Sequence, residues 1–330
     1  MDVIKIVTPE AKPGEFALPT MDVSAVKRKF LDIPYVPGGG NPQSLDIFLP
    51  DEGDGPFPTI IFIHGGAFWG GDKRDTQNIY LMNGIRRGYA VVNMNHRLSQ
   101  EAKFPLPVYD VKAGVRFLRA NAAKYCLDPD RFAVGGNSAG AYFAALLGTS
   151  ADVAALEDYS MGNAGVSSRV QAAIGLFGVY DLTMQSQFTE DSPATGGFKM
   201  PNFADQFAGV VCREHPELMA LTWPGSYVTK DCAPTLIQGG TADEIVPYEA
   251  SPELVDKINA VCGDGRAILQ ALEGRTHGHP DYATPENEEK LFAFLDNVLK
   301  KSCIPCSPRG KGRGEIFSFR FPSVYGIVKP

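Results

Sequence analysis

Histidine and tryptophan are scarce in this chain, with five and two residues among 330, so a motif that contains either owes little to composition. Cysteine is also sparse: Cys126, Cys212, Cys232, Cys262, Cys303 and Cys306 are scattered, which excludes a small fold held by a disulfide framework. Cys303-Ile304-Pro305-Cys306 has C-x-x-C spacing without a second pair, and chance is the simpler account. Cys212 and Cys232 are candidates to pair with each other, but free thiols fit a reducing compartment better. Positive charge is not in excess: 31 Lys and Arg stand against 38 Asp and Glu, a formal net charge of -7. That balance disfavours nucleic acid or an anionic membrane as the main partner. No apolar run approaches the ~18 residues of a membrane span. Met1-Asp2-Val3-Ile4-Lys5-Ile6 lacks the basic-then-apolar pattern of a secretory signal, and a cytoplasmic protein is expected. The composition that remains, 44% hydrophobic and 21% charged, is that of a globular protein.

Apolar or alternating runs predict strands near 29–36, 43–49, 58–64, 88–95, 131–136, 171–177, 233–239 and 266–272. Helical periodicity is expected near 76–87, 107–125, 138–149, 248–262 and 285–300. The first two strands lie close in sequence and suggest an antiparallel start; the later ones alternate with helices and suggest a parallel sheet. One mostly parallel, twisted, eight-stranded α/β sheet flanked by helices is the expected architecture. Residues 1–28 read as an N-terminal arm and 29–300 as the α/β domain. Residues 182–232 interrupt the alternation as a small lid-like insertion. Its Met184, Phe188, Phe198, Met200, Phe203 and Phe207 either line an acyl or aryl pocket or pack the insertion onto the domain. Residues 301–330 carry six Lys and Arg against one acid, with four prolines, and are assigned no chemistry.

Gly136-Asn137-Ser138-Ala139-Gly140 lies between a strand and a helix, the setting of a nucleophile elbow. So sharp a turn requires very small residues two before and two after the serine, and it projects the hydroxyl at a helix N-terminus. There, free N–H groups favour developing negative charge. The bland alternative is a capping serine in a glycine-rich turn. Upstream, the buried run Ile60-Ile61-Phe62-Ile63 breaks into His64-Gly65-Gly66-Ala67, whose small side chains leave N–H groups free to point at a ligand. Downstream, Leu236-Ile237-Gln238-Gly239-Gly240 leads to Asp243, a carboxylate at a strand's C-terminal end, where chemistry collects in open α/β sheets. Asp181 follows another apolar run and is its rival; Glu244 is expected to face solvent. Two of the five histidines fall in Thr276-His277-Gly278-His279-Pro280. His277, with glycine behind it, is favoured as the base, because His279 precedes proline and is restricted to extended backbone. A metal role for the His-x-His pair lacks accompanying ligands at the right spacing. The chain order Ser138, Asp243, His277 points to a serine hydrolase.

On these residues, together with Gly71-Asp72-Lys73, Asn95-His96-Arg97-Leu98, Phe104-Pro105 and Asp110-Val111-Lys112, the chain resembles the esterase/lipase branch of the α/β-hydrolase superfamily. It is similar to the hormone-sensitive-lipase-like and bacterial feruloyl-esterase-like families, from about residue 28 to residue 300. The resemblance implies an oxyanion hole formed by the N–H groups of Gly66, Ala67 and Ala139. It also implies a carboxylesterase for short-chain or aromatic acyl esters that needs no metal or organic cofactor. A carbohydrate deacetylase, a feruloyl esterase or an arylformamidase would use the same residues; a non-catalytic small-molecule receptor is the remote alternative. Phe68, Trp69 and Tyr142 are candidates to line the substrate pocket. Arg97 and Asp110 are expected to form a structural pair behind the site. The expected partner is a small-molecule ester, with no nucleic acid and no membrane span, and a homodimer is left open. Asn137 stands where relatives often carry Asp or Glu, and Gly140-Ala141 where many carry Gly-Gly.

Overall fold

The computed structural model describes residues 4–8, 19–185 and 202–300. The strands are β1 (Lys5–Val7), β2 (Thr20–Asp22), β3 (Lys29–Pro34), β4 (Ser44–Phe48), β5 (Phe57–Ile63), β6 (Ala90–Met94), β7 (Leu127–Asn137), β8 (Ala172–Leu176), β9 (Thr235–Gly240) and β10 (Ala267–Leu272). Strands β3 to β10 form one eight-stranded sheet in the order β3-β4-β6-β5-β7-β8-β9-β10. Only β4 runs against its neighbours; every other pairing is parallel. All eight strands lie where the apolar runs place them.

The central strands are buried on both faces, which explains their unbroken apolar composition. Alternation along β5 sends Ile61 and Ile63 to one face and Ile60 and Phe62 to the other. The first face is covered by α2 (Leu106–Ala120), α3 (Ala139–Thr149) and α7 (Ala250–Cys262), through Val111, Val115, Phe143, Leu147, Leu254 and Ile258. The second is covered by α1 (Ile79–Met82) and α8 (Pro285–Leu299), through Leu81, Leu291, Phe292 and Leu295. Every residue of α3 is buried, as expected of a helix that is apolar all round.

The helix expected over 76–87 is instead a 3-10 turn (Thr76–Asn78), the single turn of α1 and a second 3-10 turn (Asn83–Arg87). Asn78, Asn83 and Gly84 are poor helix residues, and the buried Asn78 side chain hydrogen-bonds to Asn93 of β6. Within the segment expected to be an arm, β1 pairs antiparallel with β2. Met21, Val23 and Val26 are buried against Phe48, Met82 and Val91, so residues 20–26 belong to the folded body. The described parts of 182–232 form α4 (Leu182–Gln185), α5 (Phe203–Ala208) and α6 (Pro216–Thr222). Among the described residues no helix is long and apolar enough to cross a membrane.

Candidate active site

The turn from β7 into α3 requires its glycines by close approach. A Cβ on Gly136 would lie 2.3 Å from the Gly140 carbonyl oxygen, and one on Gly140 would lie 2.1 Å from that of Ile63. Between them Ser138 adopts φ 50 and ψ -122, a conformation that costs a non-glycine residue about 1–3 kcal/mol. The surroundings hold it there: its N–H donates to the Leu176 carbonyl (2.9 Å), and its own carbonyl accepts from Val179 N–H (3.3 Å). The hydroxyl is thereby presented at the N-terminus of α3.

Two distant loops meet this hydroxyl. After β10, His277 brings Nε2 to 3.0 Å from Ser138 Oγ. After β9, Asp243 places Oδ2 2.8 Å from His277 Nδ1. A carboxylate only accepts, so Nδ1 carries the proton and Nε2 is left as the acceptor facing the serine. Asp243 is itself fixed, since its Oδ1 accepts from the N–H groups of Ile245 and Val246, both at 2.9 Å. Its cap role and its contact with His277 therefore coexist, one on each oxygen. The Asp243 side chain is 3% exposed and that of His277 15%, so the pair is nearly dry while the imidazole still reaches the surface.

The rivals have other duties. Asp181 Oδ1 accepts from Thr183 N–H (2.6 Å) and Met184 N–H (3.1 Å), capping α4. His279 caps the 3-10 turn at Pro280–Ala283 by accepting from Asp281 N–H at 3.2 Å. Glu244 is exposed. The Arg97 guanidinium grips the fully buried Asp110 carboxylate through Nε (2.8 Å) and Nη2 (2.7 Å), and the Arg97 backbone N–H (3.0 Å) and Gln43 Nε2 (2.8 Å) donate to it as well.

The loop after β5 runs beside the serine. Ala67 and Phe68 both have φ 58, and the N–H groups of Trp69 and Gly70 donate to the Gly66 carbonyl at 2.9 and 2.8 Å. Among the described residues none of the Gly66, Ala67 and Ala139 N–H groups donates to another protein atom. Gln77, which carries no motif signature, holds this loop. Its Oε1 accepts from Gly65 N–H (2.9 Å), and its Nε2 donates to the buried Asp75 carboxylate (2.7 Å). Burial pushes the Asp75 carboxyl up, opposed by the nearby His64. His96 stacks on His64 with ring centroids 4.7 Å apart. Burial, and then His64, push His96 down to about 3, so it stays neutral at physiological pH. Phe177 is a second residue without a motif: its ring meets His277 edge-on at 4.8 Å and is backed by Tyr282 at 4.6 Å.

The three aromatic candidates separate. Phe68 (1% exposed) and Tyr142 (0%) are closed off in the core, so they support the site from behind and do not line an open pocket. Phe68 stacks on Phe207 at 4.0 Å, and the Tyr142 hydroxyl donates to the Thr222 carbonyl at 2.8 Å. The first contact fastens the insertion onto the loop after β5, the second onto α3. Trp69 is half-buried. Of the insertion's apolar residues, Phe207 is fully buried in that aromatic cluster, while Met184 and Phe203 pack partly buried against the core. Phe188, Phe198 and Met200 lie outside the described residues.

The BD-FAE family model matches residues 45–258, well over half of the chain and inclusive of Ser138 and Asp243. The chain belongs to the BD-FAE family. It is similar to Esterase LipQ of Mycobacterium tuberculosis, with 34% identity covering 82% of this chain and 59% of that one. It is also similar to Esterase LipC of the same organism, with 28% identity covering 72% and 57%. The chain thus spans less than two thirds of the length of these curated relatives. Among solved structures, a truncated carbohydrate esterase from gut microbiota shares 26% identity at a TM-score of 0.71, covering 83% of this chain and 97% of that one. A bifunctional GH43-CE protein of Bacteroides eggerthii shares 28% at 0.71, covering 85% and 39%. With its mostly parallel eight-stranded sheet, this BD-FAE family member has the α/β-hydrolase fold.

Proposed function

We propose that the protein is a serine carboxylesterase, with Ser138 as nucleophile, His277 as general base and acid, and Asp243 as the group that orients the imidazole. The continuous hydrogen-bond chain from Asp243 through His277 to Ser138 carries this assignment. Ser138 Oγ attacks the ester carbonyl carbon while His277 Nε2 takes the hydroxyl proton. The carbonyl oxygen becomes an oxyanion and accepts from the N–H groups of Gly66, Ala67 and Ala139, each donor contributing on the order of 3 kcal/mol. Collapse breaks the bond to the leaving alcohol, which takes the proton from Nε2 and departs. Water then attacks the acyl-enzyme, giving its proton to Nε2 and its oxygen to the acyl group; the carboxylic acid leaves and Ser138 is reprotonated. Asp243 keeps its negative charge throughout and stabilises the transient imidazolium. No step calls for a metal or an organic cofactor.

The substrates are esters of short-chain or aromatic acids. The similarity to two carbohydrate esterase structures favours a second reading, in which the ester is an acyl group on a carbohydrate. One panel tests both: p-nitrophenyl acetate, butyrate and octanoate, methyl ferulate and an acetylated xylo-oligosaccharide, each with a Ser138→Ala control. Hydrolysis of any member that disappears in the control supports the esterase reading. Undiminished hydrolysis by Ser138→Ala overturns it.

A further inference from the structure

Four cysteines lie among the described residues, and all are free thiols. Two of them, Cys232 and Cys262, meet at a place that the proposed chemistry does not use. In the parallel pairing of β9 with β10, Thr235 sits opposite Ala267, so the segments leading into these strands run side by side. Cys232 lies just before β9, at the end of the insertion, and Cys262 is the last residue of α7. Both sulfurs are held on one residue. Cys262 Sγ donates to the Thr229 carbonyl at 3.0 Å, and Thr229 N–H donates to Cys232 Sγ at 3.2 Å. The backbone adds its own tie, since Cys232 N–H also donates to the Thr229 carbonyl (3.1 Å). Cys232 Sγ also donates to the Thr149 carbonyl at 3.7 Å, and Thr229 is the residue on which the two sulfurs converge. Cys212, the partner that proximity in sequence suggests for Cys232, is held elsewhere, with its N–H on Asp205 Oδ1 at 2.8 Å.

We infer that Cys232 and Cys262 form an oxidisable dithiol whose disulfide joins the end of the insertion to the end of α7. Cys232 is 3% exposed, whereas Cys262 is partly exposed, so an external oxidant meets Cys262 first. With a glutathione-type disulfide as oxidant, Cys262 attacks one of its sulfurs as the thiolate, forming a mixed disulfide and releasing one glutathione thiol. Cys232 then attacks the Cys262 sulfur, the protein disulfide forms, and the second glutathione leaves as a thiol. The two protons lost by the cysteines end on the two glutathiones; the protein pair is oxidised by two electrons and the glutathione disulfide is reduced by two. Burial holds the Cys232 thiol up. The link closes a loop around β9 and α7, and a cross-link of this kind stabilises by restricting the unfolded chain.

The test incubates the full chain with glutathione disulfide or with dithiothreitol, blocks remaining thiols under denaturing conditions and maps tryptic peptides. Oxidised protein is expected to yield peptide 231–257 joined to peptide 258–266, two hydrogen atoms lighter than their sum. Its melting temperature is expected to rise by roughly 4 °C or more, reversibly with reductant. Cys232→Ser and Cys262→Ser each remove both signals and leave hydrolysis of a short ester unchanged. Recovery of Cys232 and Cys262 as blocked free thiols after prolonged oxidation would overturn the inference. So would glutathione that remains on Cys262 alone, or linkage of Cys232 chiefly to another cysteine.

Discussion

Replacing Asp243 by asparagine separates the two duties of this side chain. The Oδ1 atom accepts from two backbone N–H groups at 2.9 Å, and the Oδ2 atom accepts from His277 Nδ1 at 2.8 Å. An asparagine keeps the cap by leaving its oxygen on Ile245 and Val246, and it is as good a capping residue as aspartate. Its NH2 group must then face His277, where a donor would meet a donor. The imidazole resolves the conflict by moving its proton to Nε2, which can no longer accept from Ser138. The same tautomer trap in a Ser-His-Asp protease lowers kcat by about 10⁴, equivalent to roughly 5.5 kcal/mol of lost transition-state stabilisation. A loss of that order is expected for Asp243→Asn in p-nitrophenyl acetate hydrolysis, with a nearly unchanged melting temperature. Asp243→Ala should lose as much activity and, with the cap gone, about 1 kcal/mol of stability as well. An asparagine variant that retained more than about a tenth of wild-type kcat would refute both the tautomer reasoning and the assignment of Asp243.

Gly140→Ala should abolish soluble expression or lower kcat at least about 100-fold, because the added Cβ would sit 2.1 Å from the Ile63 carbonyl oxygen and 2.6 Å from that of His64; normal expression with normal kcat would contradict the close-approach account of the elbow. Glu157 accepts from Lys112 Nζ at 3.2 Å and from Arg116 and Ser168, and the side chains of both cations are 0% exposed. Glu157→Gln therefore leaves buried positive charge uncompensated, and calorimetry should register a loss of about 3–5 kcal/mol; a melting temperature within about 1 °C of wild type would count against this. Acyl preference should peak at acetate to butyrate, although an open apolar pocket would reward each added methylene with about 0.8 kcal/mol, some fourfold in kcat/KM. A steady rise through decanoate would show such a pocket to be present.

The positions of the eight sheet strands along the chain were legible in the sequence because each is a short β-branched or aromatic run bounded by turn residues, and burial on both faces demands that composition. The sharp turn around Ser138 was legible for a similarly local reason: the small residues at 136 and 140 are dictated by close contacts at the turn. The helix expected over 76–87 failed where local periodicity met a tertiary demand, with Asn78 turned inward to Asn93 of β6. Asp243 and Asp181 both follow apolar strands and both cap the turn after them, so nothing local separates them. Only the position of β9 between β8 and β10 in the sheet brings Asp243 to the histidine loop. Gln77 and Phe177 carry no motif, because their roles lie in contacts with Gly65 and His277, distant in sequence. Local sterics write themselves into sequence as small or branched residues at fixed spacing. Contacts that depend on which strand lies beside which exist only once the chain has folded.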